Sequence, residues 1–322
     1  MDSRELVRKT LRGANPGRTP LHGWVDRNLE KGLTAAFGSP ANFEDKYSFD
    51  LAFVFGIPEC YDMDYIEELK KPEGSLTPDI LLSIPLRPTD NIAEYVGIIN
   101  GLEFHQKSRG RFCYVQTNGI FELHSGIFGI EDHLCWVALY PGRLRELYAR
   151  QAEWNRRVAG NCLDLGADMV NVADDCGTQR GMMFSPAFWR SHIYPNHKIV
   201  VDHVKKRGGY ICLHSDGNVL AAMDWIAELG YDVFHPWQET AGMGYDVYLN
   251  RYSDKIGLMG GLCVQSTLGF GDYPRLESEI RRIFGLLKGK RWIFGTTHYV
   301  QEHCTMEELV FAYDLVVRLA RS

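Results

Sequence analysis

The chain has 322 residues, 45% hydrophobic and 24% charged, with 35 Lys and Arg against 41 Asp and Glu and a formal net charge of −6. That length buries a large core without disulfide or metal staples, and it fits either two ordinary domains or one large α/β architecture. A mildly acidic chain with no Lys/Arg-rich run is not built for the phosphate backbone of nucleic acid, and no stretch approaches the roughly 20 apolar residues that span a bilayer.

Residues 1–5 carry acids and lack an apolar signal-peptide core. Eight cysteines are scattered without a Cys-x-x-Cys pair, the usage expected of reduced thiols in a cytoplasmic protein. Residues 3–13 read as an amphipathic helix with Leu6, Val7 and Leu11 on one face. An apolar run follows at 20–25. From about 28 to 91 the chain reads as an irregular, proline-rich insertion with short helices and one apolar run at 51–56. From residue 111 the pattern turns regular. Apolar β-type runs at 111–116, 167–173, 209–214, 231–235, 255–259 and 291–294 alternate with amphipathic helices at 141–165, 186–206, 218–229 and 275–287. Ser185 and Pro186 supply an N-cap and a first-turn proline. Thr305-x-x-Glu308 is a capping-box signature before the last helix.

Strand–helix alternation of this kind means βαβ units and a parallel sheet. With the runs at 20–25 and 51–56 the count is about eight strands, the number for a (β/α)8 TIM barrel. No G-x-G-x-x-G follows the first strand and no G-x-x-x-x-G-K-[ST] occurs, which argues against a doubly wound nucleotide-binding sheet. The expectation is an α/β fold, a TIM barrel in one domain over 1–322, with about residues 1–100 as an N-terminal elaboration plus the first strands.

Barrel enzymes carry their chemistry at the C-terminal strand ends. Those ends here hold His22 or Asp26; Asn118; Asp174, Asp175 and Gln179; His214 and Asp216; His235, Trp237 and Glu239; and His298. His214-x-Asp216 with His298 forms a metal-ligand set, since imidazole and carboxylate suit zinc and three protein ligands leave a fourth position open. His235 is an alternative ligand. The competing reading has His214 and Asp216 bonding turn backbone around Gly217-Asn218. Asp174 and Asp175 point oppositely in extended chain, so only one of them faces the site; the pair either supplies an acid, base or hydrogen-bond acceptor there or caps the turn before Gly177. Cys176 and Cys263 read as packing residues. Trp24, Phe121, Phe188 and Trp237 either line an aromatic pocket or pack.

The string Val170 to Gly181 with Asp174-Asp175, then Ser185-Pro186, then Leu213-His214-Ser-Asp216-Gly-Asn218, resembles the uroporphyrinogen decarboxylase superfamily and its cobalamin-dependent methyltransferase branch. Gly260-Gly261 and Gly295-Thr-Thr-His298 fit the same pattern. Decarboxylation itself is not expected, because the decarboxylase's N-terminal arginine segment corresponds here to residues 21–26, which lack an arginine cluster. The resemblance implies a zinc site that relatives build from a His-x-Cys pair and a late Cys. Asp216 and His298 stand in those positions.

A harder His/Asp/His set leaves a metal more electrophilic, suited to polarising an ether or phenolate oxygen. The resemblance therefore implies an O-demethylating methyltransferase. It would move methyl from a small methoxylated, aromatic donor to the cob(I)amide of a partner corrinoid protein, with Asp175 and Glu239 catalytic and Asn118, Trp237 and Gln179 binding substrate. The alternatives are transfer from methylcobamide to a thiol or pterin, and a non-catalytic corrinoid- or porphyrin-binding protein. No nucleic-acid or membrane partner is expected, and an oligomer is compatible with the sequence.

Overall fold

The computed structural model describes residues 1–73 and 76–322. Among the described residues seven strands follow in chain order in one sheet: β1 Leu51–Val54, β2 Phe112–Asn118, β3 Met169–Ala173, β4 Tyr210–His214, β5 Val233–His235, β6 Gly257–Leu262 and β7 Trp292–Thr296. Helices separate them, and the fold is an α/β barrel of the (β/α)8 type. Two compact units divide the chain. One comprises residues 1–52, 105–112 and 232–322, and the other residues 53–104 and 113–231.

In the second unit β2, β3 and β4 pair in parallel, with Asn118 opposite Ala173 and Ala173 opposite His214. Every residue of β3 is buried, as parallel strands covered on both faces require. In the first unit β5, β6 and β7 pair in parallel, with Leu262 opposite Thr296. The helix Tyr273–Leu287 buries Leu276, Ile280, Ile283 and Leu287, the face expected from the sequence. Full burial of each such side chain contributes about 1.5–3 kcal/mol.

Four expectations need correction. The run at 20–25 is not a full strand but a single bridge from Leu21 to Phe294. Its ladder stops because the Trp24 amide donates to the Thr296 hydroxyl (3.1 Å) rather than to a strand carbonyl. Segment 28–91 is largely helical, in Asp26–Phe37, Pro40–Lys46, Met63–Glu73 and Pro78–Ser83. Pro40 and Pro78 open helices there, capped by Ser39 and Thr77, so prolines that read as breakers are starts. The helix over 186–206 is interrupted by a wide turn at Trp189–Ile193 before Tyr194–Lys206, where Pro195 lacks the amide that a continuous helix needs. The capping box closes on one side only. Thr305 accepts from the Glu308 amide, but the buried Glu308 carboxylate accepts from the amides of Gly269, Phe270 and Gly271 (2.9, 3.2 and 3.2 Å). Among the described residues no helix is long and apolar enough to cross a membrane.

Candidate metal centre

The chain leaves β3 and β4 side by side, and the Asp174 amide extends their ladder by donating to the His214 carbonyl (2.9 Å). Beyond it the two loops are fastened together. Thr178 bridges Asn218 in antiparallel sense, the Asn218 amide donating to the Thr178 carbonyl at 2.8 Å. Gly177 and Gly217 meet face to face at this point. A Cβ on Gly177 would lie 2.6 Å from the Asp216 carbonyl oxygen, and one on Gly217 2.6 Å from the Gly177 carbonyl carbon. Gly217 also has φ +77°, a backbone region that favours glycine. The Cys176 amide donates to the Ser215 hydroxyl (3.1 Å), and the Asp216 amide to Asp175 Oδ1 (2.7 Å).

The two adjacent aspartates divide their tasks. Asp174 is buried and accepts at one oxygen from the amides of Phe121 and Glu122 (2.8 Å each), the first turn of the helix Ile120–Phe128. A carboxylate there satisfies orphan amides and complements the helix dipole. Its other oxygen meets His197 Nε2 at 2.7 Å, and His197 Nδ1 lies 2.9 Å from the Tyr231 hydroxyl. Asp175 turns the other way. Its carboxylate, one His214 nitrogen and the Asp216 carboxylate place three ligand atoms within 4.8 Å of one another, with His214 Nε2 3.7 Å from Asp175 Oδ1. His214 is buried and the two carboxylates are half-buried. One imidazole and two carboxylates suit zinc or a similar divalent ion, and three donors leave a position open.

The pocket is electronegative. Burial raises the Asp216 carboxyl to about 6; the His214 charge opposes the shift and the Asp175 charge adds to it. Glu122 is exposed and lines a cavity of about 270 Å³ together with Asn118. Desolvation of its carboxyl, with the charges of Asp175, Asp174 and Asp216, raises it to about 8.

The sequence-derived residues have distinct surroundings. Asn118 lines the cavity, whereas Gln179 is exposed on the turn of residues 178–181. His298 and His235 belong to the first unit, where their rings lie 5.9 and 4.6 Å from that of Trp24, and His235 Nε2 is 3.1 Å from the Thr296 carbonyl oxygen. Trp237 is buried against Tyr248 and Tyr252 (5.1 and 5.7 Å) and donates to the Gly244 carbonyl. Glu239 is ion-paired with Arg282. The Cys176 thiol is buried and held well above its usual range by desolvation. Glu122 escaped the sequence reading because it stands one turn into the helix Ile120–Phe128, beyond the strand-end residues 117–119 where the chemistry was sought.

No curated protein matches the chain. A solved methyltransferase from Methanosarcina mazei is similar over 98% of each chain at 11% identity, with TM-score 0.69. A D-tagatose 3-epimerase-like protein is similar at 11% identity over 94% of this chain and 96% of its own, with TM-score 0.45. The family model described as uroporphyrinogen decarboxylase (URO-D) matches residues 112–318. The chain belongs to the uroporphyrinogen decarboxylase family.

Proposed function

We propose that this chain is a methyltransferase that demethylates a small methoxylated aromatic substrate in concert with a partner corrinoid protein. The observation that carries this reading is the Asp175, His214 and Asp216 group at the ends of β3 and β4, a hard donor set with an open position. Zinc held there supplies polarisation of the substrate's ether oxygen, and the partner's cob(I)amide supplies the nucleophile. The likeness to a methyltransferase fold is consistent with this reading.

The chain's own residues have separable tasks. Gly177 and Gly217 lock the two loops and so fix the spacing of Asp175 and Asp216. Asp174 fixes the start of the helix that carries Glu122. Asn118 orients the substrate from the cavity wall. As the methyl–oxygen bond breaks, the bonding pair stays on oxygen, and the Glu122 carboxyl on the cavity wall relays a proton to it from solvent. The test is a panel of methoxyarenes and methylamines with the zinc-loaded protein and a reduced corrinoid protein, followed by cobalt absorbance. A methoxyarene-dependent change is expected. Silence across the panel overturns the proposal.

A further inference from the structure

The cavity beside the metal-capable group has apolar walls, Met63, Leu123 and Ile127, and a polar side formed by Gln116, Asn118 and Glu122. Gln116 and Asn118 are two residues apart on β2 and share a face. Their register partners on β3 are Asn171 and Ala173. Ala173 also lines the cavity, so Asn171, two residues before it, looks the same way from deeper in the sheet.

Asn171 is fully buried and spends its amide nitrogen on Gln116 Oε1 (2.9 Å), while its Oδ1 has no hydrogen-bond partner. A buried acceptor left unmade is costly, and its partner Gln116 is the residue of this pair that reaches the cavity wall. The platform is rigid. The Asn118 main-chain oxygen takes a bond from Asn155, Asn155 from Gln151, and Gln151 from the Cys60 thiol (2.7, 2.7 and 2.8 Å).

Charge then decides what fits. Among the described residues no Lys or Arg lines the cavity, and Glu122 already feels Asp175, Asp174 and Asp216. A divalent ion held by Asp175 and Asp216 is neutralised by those two carboxylates, so it does not convert the pocket into an anion site. The volume, near the lower end for small-molecule sites, suits roughly a single ring.

Resting on the reading of this cavity as the substrate pocket, we infer that it selects an uncharged or cationic single-ring molecule carrying a hydroxyl or amine donor, and rejects carboxylates. Gln116 and the Glu122 carboxyl receive that donor, and Asn118 contacts the ring's polar substituent.

Three probes with a common ring test this by calorimetric titration of the whole zinc-loaded protein: 4-methoxybenzyl alcohol, 4-methoxybenzylamine and 4-methoxybenzoate. The alcohol and amine are expected to bind at least about ten-fold more tightly than the benzoate. Asn118→Leu is expected to weaken alcohol binding by about ten-fold with zinc content unchanged, and Glu122→Gln to narrow the discrimination against benzoate. Should Asn118→Leu fail to fold, Glu122→Gln decides. Benzoate binding as tightly as the alcohol, no probe binding, or an unchanged ratio in Glu122→Gln overturns the inference. Selective binding without methyl transfer refutes the methyltransferase proposal alone, whereas efficient demethylation of tightly bound benzoate refutes the selectivity alone.

Discussion

Replacing Gly177 with alanine should damage the metal centre without touching a ligand. The added Cβ would meet the Asp216 carbonyl oxygen at 2.6 Å and the Asn218 nitrogen at 2.7 Å. Ordinary contact begins near 3.4 Å, so the opposing turn must retreat by about 0.8 Å. Two hydrogen bonds cross this line, from the Asn218 amide to the Thr178 carbonyl and from the Asp216 amide to Asp175 Oδ1. The first contributes about 0.5–1.5 kcal/mol and the second, to a charged acceptor, about 1.5–3 kcal/mol. A loss of about 2–4 kcal/mol corresponds to a Tm lowered by about 3–6 °C for a chain of this length. Zinc affinity should fall about 10–100-fold, the usual effect of disturbing the groups that orient metal ligands. Competition with a chromophoric chelator measures the affinity, and calorimetry the Tm. Gly285→Ala is the control: that glycine is exposed in the last turn of the helix Tyr273–Leu287 with nothing within 4 Å, and alanine there should stabilise by up to about 0.5–1 kcal/mol. Zinc affinity within two-fold of wild type in Gly177→Ala, at unchanged Tm, would refute the argument.

Asp174→Ala strips the helix Ile120–Phe128 of its carboxylate and leaves His197 without its acid partner; a loss of about 3–5 kcal/mol is expected in urea unfolding, and a loss below about 1 kcal/mol would count against it. Glu308→Ala frees three amides of the loop at residues 269–271 and should cost about 2–4 kcal/mol, read as a drop in Tm with zinc binding intact. His133 is buried between Ser125 and Tyr148, and desolvation lowers its pKa to about 2. The unfolded chain therefore takes up a proton below about 6.5 that the folded one refuses, so stability is complete above that pH and is lost as pH falls. Between pH 7.5 and 5.5 the stability gap separating wild type from His133→Asn should narrow by about 1.4 kcal/mol. A gap that stays constant or widens contradicts that sign.

The periodic half of the molecule was readable because its pattern was physical. Apolar runs at 167–173 and 209–214 became β3 and β4 almost residue for residue, and the loops after them carried His214, Asp216 and Asp175 into one group. The opposed directions of Asp174 and Asp175 followed from strand alternation. What escaped depends on tertiary context. The Leu21 run looks like a strand until a side-chain hydroxyl replaces its ladder partner. The proline-rich segment looks irregular because a proline at a helix start and a proline in a loop have the same local sequence. Glu308 satisfied the capping-box pattern, yet its carboxylate serves a loop some forty residues away. Asn171 and Gln116, apparently ordinary residues within strands, acquire meaning only when the register brings them together on one face.

The two opposed glycines make the identity of the ligands independent of their placement. Because Gly177 and Gly217 clasp main chain to main chain, the geometry at positions 175 and 216 is set before any donor atom is chosen. A lineage can therefore exchange a thiolate for a carboxylate there without rebuilding the loops, retuning the electrophilicity of a bound ion by one side chain at a time. In such a scaffold chemical diversification needs little structural invention, and the least tolerant positions are the two that carry no functional group at all.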